Sequence, residues 1–171
     1  VTDAWYPQVN GVVRTLDETS KQLKKFGHEV KLITPEGFLT MPCPTYPEIK
    51  LSLFPGARVS SMIREFNPDR LHIATEGPLG LSARGYAIRN GLAFTSAYHT
   101  RFPEYVHARI KLPLKITYAF LRWFHGRSEL VMVPTEEVKK DLLKYKIGNP
   151  QIWARGVELE IFKPKKGRRK N

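Results

Sequence analysis

Along this chain the apolar residues switch repeatedly between a period of about two and a period of about 3.6, and that alternation restricts it to one class of fold. Val12, Leu16, Thr19, Leu23 and Phe26 recur at helical spacing, with Lys21, Lys24 and Lys25 off the stripe and Gly27 placed to end it, which predicts a helix over 12–26. Glu29-Val30-Lys31-Leu32-Ile33-Thr34 is a β-rich run closed by a proline, hence a strand. Five prolines from Pro35 to Pro55 predict loop, with one short strand at 48–53. Then the cycle repeats. A helix at 57–66 leads to a strand at 70–74, one at 79–89 to a strand at 92–98, one opened by Pro113 and running to 124 to a strand at 130–133, and one at 136–145 to a strand at 151–154. Such regularity predicts an α/β fold, a Rossmann-like doubly wound, mostly parallel sheet with helices on both faces. Val1-Thr2-Asp3 reads as the end of a first strand whose earlier residues lie upstream.

Composition narrows the class further. At 171 residues and 42% apolar the chain suits one globular core, and its single cysteine, Cys43, excludes an internal disulfide. No Cys/His cluster has zinc-ligand spacing, so neither a metal nor redox chemistry is expected and a reducing compartment fits. No apolar stretch approaches bilayer length and the N-terminus lacks the regions of a signal peptide, so the sequence reads as cytoplasmic. The formal charge of +12 invites a second reading as a basic nucleic-acid-binding module. Half of that excess, six basic residues and no acid, falls in a tail at 163–171 of disordered composition. With no helix-turn-helix, zinc-finger or RNA-recognition signature, no nucleic-acid partner is expected.

Ligands of such sheets bind beyond the carboxyl ends of the strands, so the loops leaving the strands hold the candidate sites. In the first loop, Gly11 lets the backbone approach a ligand closely, and free amides at the helix start favour an anion such as a diphosphate. The competing reading is a plain turn in which Asn10 caps the helix and Gly11 relieves strain. In the second, Thr75-Glu76-Gly77-Pro78-Leu79-Gly80, the Glu76 carboxylate suits a hydroxyl-rich ligand, or else sits where the next helix start favours its charge. The third holds His99, placed to donate a hydrogen bond to a sugar hydroxyl, and Arg101, able to neutralise an anion. His28, His72, His107 and His125 lie in or beside strands and helices, where packed or solvated roles are the default. The last loop, 154–164, is apolar and ends in Pro164, the pattern of a docked segment leading out of the domain.

Five segments occur in a fixed order across the chain: PQVNGVVRT at 7–15, GHEVKLITP at 27–35, ATEGPLG at 74–80, TSAYHTRFPEYV at 95–106 and RGVELEIFKP at 155–164. Together they resemble family four of the GT-B glycosyltransferases, retaining enzymes that include mannosyltransferases acting on phosphatidylinositol and makers of glycolipids. The resemblance implies the N-terminal half of a two-domain enzyme. Residues 1–157 would form the acceptor-side domain and 158–171 the start of the interdomain crossover with the basic tail, the nucleotide-binding domain being absent from this chain. It implies His99 as the catalytic residue beside the transferred sugar, with Asn10, Gly11 and Val12 at the donor phosphate and sugar. Tyr6, Gln8, Glu76 and Arg101 are implied on the acceptor side, and Arg155-Gly156-Val157 at the hinge or cleft wall. The implied reaction moves a mannose- or glucose-like hexose from a GDP- or UDP-linked sugar to a lipid or glycan acceptor. It needs no cofactor or metal, because the leaving diphosphate itself helps to deprotonate the acceptor, and the chain alone is expected to be inactive.

Residues 101–127 interleave Arg101, Arg109, Lys111, Lys115, Arg122 and Arg127 with Phe102, Tyr105, Tyr118, Phe120, Trp123 and Phe124. That mixture suits peripheral contact with an anionic membrane holding a lipid acceptor. The competing reading is a helix at 113–124 with one apolar face in the core and its basic residues solvated.

Overall fold

The computed structural model describes residues 1–7, 10–43, 46–99, 111 and 113–154, the side chains of 46–48 excepted. Helix α1 (Gly11–Lys25) starts where Asn10 is extended and its side-chain oxygen accepts the Val12 and Val13 amides. It ends at Phe26, after which Gly27 takes a left-handed φ of 86°.

In the proline-rich stretch the short strand expected at 48–53 forms as β2 (Tyr46–Ser52), and the part expected as loop supplies its partner β1 (Thr40–Cys43), the two pairing into an antiparallel hairpin. A two-stranded ribbon consists only of edges, so its prolines need not break a ladder, and the register shifts between Pro42 and Cys43. Met41 pairs with Leu51, and the Leu53 amide donates to the Leu39 carbonyl at 2.8 Å, which puts all four apolar side chains on one face. That face looks outward. Leu39 is 72% exposed, whereas Ser52 on the opposite face is buried.

Helix α2 (Gly56–Phe66) closes at Asn67 in the left-handed region, and β3 (Leu71–Ile73) follows. Then come α3 (Pro78–Arg89), β4 (Phe94–Ala97), α4 (Leu114–His125), β5 (Val131–Val133), α5 (Glu136–Lys144) and β6 (Pro150–Ile152). The last four strands form one parallel sheet in the order β3-β4-β5-β6. The expected strand at 29–34 does not form a ladder. Its neighbour is the short run 1–3: the Thr2 amide reaches the Ile33 carbonyl at 2.9 Å, and the Ala74 amide reaches the Val1 carbonyl at 2.9 Å. One bond on each side sets Val1–Asp3 between residue 33 and β3 but is too few for a regular strand.

Alternation along the strands divides the core. Leu71, Ile73, Phe94, Val131 and Val133 pack under α2 to α5, where Leu121 and Phe124 of α4 are fully buried, each contributing roughly 2 to 3 kcal/mol. His72, Thr95 and Met132 face the other side, where Leu16 and Leu23 of α1 border the same cavity of about 700 Å³. The fold is therefore α/β, Rossmann-like and mostly parallel, with α1 on one face and the other four helices on the opposite one.

Candidate functional site

The parallel strands end on a common edge, and the loop leaving β3 is held there by the buried carboxylate of Asp3. Asp3, 5% exposed, accepts the Leu79 amide at 2.9 Å, the Gly80 amide at 3.3 Å and the Thr75 hydroxyl at 2.8 Å, while its own amide donates to Thr75 Oγ1 at 2.7 Å. It caps α3 from 75 residues away in sequence, since Gly77 at the cap position has no side chain to offer. A Cβ at Gly77 would come within 2.4 Å of the Asp3 carboxyl carbon, and one at Gly80 within 1.9 Å of the Thr75 carbonyl oxygen. Both glycines thus make room for this latch. Burial pushes the Asp3 carboxyl above its ordinary range, against the pull of the Leu79 amide, the Thr75 hydroxyl and the Gly80 amide.

Beside the latch, Glu76 turns inward. Its Oε1 lies 3.2 Å from Nε2 of His125, whose Nδ1 is 2.8 Å from Ser96 Oγ. Ser96 donates to Ser128 Oγ at 3.0 Å, and Ser128 donates to the His125 carbonyl at 2.7 Å. His125 and Ser96 are fully buried, while the Glu76 side chain keeps 17% of its surface open. The Tyr98 ring meets the His125 ring edge-on, 6.1 Å between centroids, so this one imidazole underlies the loops leaving both β3 and β4.

His99, half-buried, follows β4 directly and packs against Trp153, which leaves β6 (centroids 6.2 Å apart). Trp153 meets His72 edge-on at 5.9 Å. Nδ1 of His72 is 2.8 Å from Thr95 Oγ1, and burial pushes this imidazole down to about 3. His72 is therefore neutral and structural.

Tyr6, 49% exposed, donates to Asp17 Oδ2 of α1 at 3.2 Å and meets the Trp5 ring edge-on. It borders a cavity of about 350 Å³ together with Trp5, Phe38, Thr40 and Lys50. The larger cavity under α1 touches none of Tyr6, Asn10, Glu76 or His99. At the start of α1 the capping role is realised, with both the Val12 and the Val13 amides 3.0 Å from Asn10 Oδ1. An anion arriving there would share those amides with Asn10 or displace its oxygen. Gln8, Arg101 and residues 155–164 lie outside the described residues, as does the boundary expected at 157.

Glycosyltransferase Family 4 matches this chain over residues 9–161. The chain belongs to that family. The family 4 chain is 27% identical over 177 residues to a sulfoquinovosyl transferase of Arabidopsis thaliana, covering 94% of this chain and 35% of that protein. It is 26% identical over 182 residues to a GDP-mannose-dependent alpha-mannosyltransferase of Mycobacterium tuberculosis, covering 96% and 48%. It is also 26% identical over 179 residues to an alpha-monoglucosyldiacylglycerol synthase of Streptococcus pneumoniae, covering 94% and 40%. The chain thus spans between about a third and a half of the length of these relatives.

Within the family 4 chain, Glu76 and His99 follow strands β3 and β4, while Tyr6, Asn10, Gly11 and Val12 lie in the segment between the run 1–3 and the first turn of α1, all of them candidates from sequence. Asp3, Ser96, His125 and Trp153 were missed because each acts through a partner distant in the chain. Gly77 and Gly80, three residues apart beside a carboxylate, carried the one local hint of close packing. Helix α4 presents both faces that the sequence suggested: Leu121 and Phe124 enter the core, while Ile116 and Trp123, each 54% exposed, lie outside among exposed Lys115 and Arg122. The Arg84 guanidinium stacks over Trp123 at 3.9 Å. Among the described residues, no helix is long and apolar enough to cross a membrane.

Proposed function

We propose that the protein containing this chain transfers a mannose- or glucose-like residue, with retention, from a GDP- or UDP-linked sugar to a lipid or glycan acceptor. This chain supplies the acceptor-side half of the GT-B cleft. The observation that carries the reading is the convergence of the Asp3-latched loops and His99 on one sheet edge in a family 4 chain. His99 orients the transferred sugar. Val12, Gly11 and Asn10 receive the donor phosphate, which competes with Asn10 Oδ1 for the first-turn amides. Tyr6 and Glu76, with Gln8 and Arg101, face the acceptor. The name of the Streptococcus relative favours a lipid, and the exposed Ile116, Trp123, Lys115 and Arg122 of α4 suit peripheral contact with the anionic cytoplasmic face of a membrane.

Positioning and charge stabilisation account for such a reaction without a protein nucleophile or a metal. The full-length protein, given GDP-mannose or UDP-glucose with a lipid extract, should form a glycosylated product of unchanged anomeric configuration. His99→Ala should lower its turnover about a hundredfold. An inverted product would refute retention, and unchanged kinetics in the variant would remove His99 from the site.

A further inference from the structure

The bonds from Ser128 to Glu76 form a chain with a direction. Ser128 Oγ donates to the His125 carbonyl and Ser96 Oγ donates to Ser128, so the Ser96 oxygen is left to accept from His125 Nδ1–H. That fixes the imidazole ring and turns Nε2 toward Glu76 Oε1, 3.2 Å away. Three of the four residues are enclosed, Ser96 and His125 fully and Ser128 to 9%. Only Glu76 reaches the surface, in the loop leaving β3 and next to the Asp3 latch.

Burying a polar chain of this kind costs free energy unless every member is paired, and a core needing only bulk would be filled by apolar side chains. What this chain accomplishes is local. It pins one oxygen of a carboxylate at the ligand edge and leaves the outward side of that carboxylate to accept from something else.

We propose that His125 is a positioning residue of the transfer site: backed by Ser96, it holds the Glu76 carboxylate in the orientation that accepts a hydrogen bond from an acceptor hydroxyl. This rests on the acceptor-side reading above. The edge-on contact of Tyr98 ties the same imidazole to the His99 loop, so the acceptor-facing carboxylate and the sugar-facing histidine are set from one buried point. Neither residue's role is visible locally, because Glu76 and His125 are 49 positions apart.

The full-length protein tests this. His125→Ala and Glu76→Gln should each raise the acceptor KM about ten- to a hundredfold with the donor KM unchanged, and the double variant should lose no more than the worse single one. His125→Gln, whose amide can still donate to Glu76, should recover most of the loss. A merely structural role would lower the melting temperature and reduce all kinetic parameters together. Equal effects on both substrates, additive losses or no rescue by glutamine would overturn the proposal. Nitrogen NMR of the His125 ring supplies a readout independent of turnover. If Glu76→Gln leaves the ring signals unmoved, the link itself is wrong. If the signals move but the wild-type protein transfers no sugar, the contact stands and the glycosyl-transfer reading fails, taking the acceptor role with it.

Discussion

Asp3 serves three hydrogen-bond donors at once, so its removal strands amides that nothing else nearby can satisfy. Asp3→Ala should destabilise the chain by about 2 to 3 kcal/mol, read as a shift in urea midpoint. Gly77→Ala should cost about as much by a different route, since its methyl group would meet the Asp3 carboxylate at 2.4 Å. The two costs should not add. With Asp3 shortened, the alanine at 77 has room, and a double-mutant cycle would show coupling above about 1 kcal/mol. His72 yields a prediction of another kind. Its folded-state value near 3 lies below the ordinary 6.5, so the unfolded chain takes up the proton first. Stability should fall as pH drops from about 6.5 toward 3, by at most about 1.4 kcal/mol per pH unit from this residue. His72→Gln should flatten that part of the curve while keeping a partner for Thr95.

Among the elements, the helices were the most legible. The first announced itself through apolar spacing and the stop signal of Gly27, because such signals act within one turn of the chain. Of the hairpin only β2 was legible; β1 was not, since its proline reads as a breaker and the apolar side of the ribbon faces solvent. His99 could be placed from the end of its strand, but the partners of Glu76 could not, because contacts across 49 residues leave no periodic trace. The join between β2 and α2 holds a testable strain. Phe54 sits at φ 47°, where a Cβ is disfavoured by roughly 1 kcal/mol, and its ring is 94% exposed. Phe54→Gly should therefore raise the melting temperature or leave it unchanged, against the usual cost of a glycine in a loop. A fall of several degrees would show that the ring has packing partners after all.

As a whole molecule the chain is, on the proposed function, one wall of a cleft. Offered GDP-mannose or UDP-glucose with a lipid extract, it should transfer no sugar alone, and turnover at ordinary enzyme rates would show that 171 residues suffice. Its latch also has a mechanical side. Because the Asp3 carboxylate, three residues before Tyr6, accepts from both Thr75 and the first turn of α3, a displacement of one segment strains the other. A ligand that pulls on Tyr6 pulls on Glu76 too, and through it on the histidine buried beneath β4. Strain applied at one of these loops is thus felt at the other, as tension carried by a single side chain.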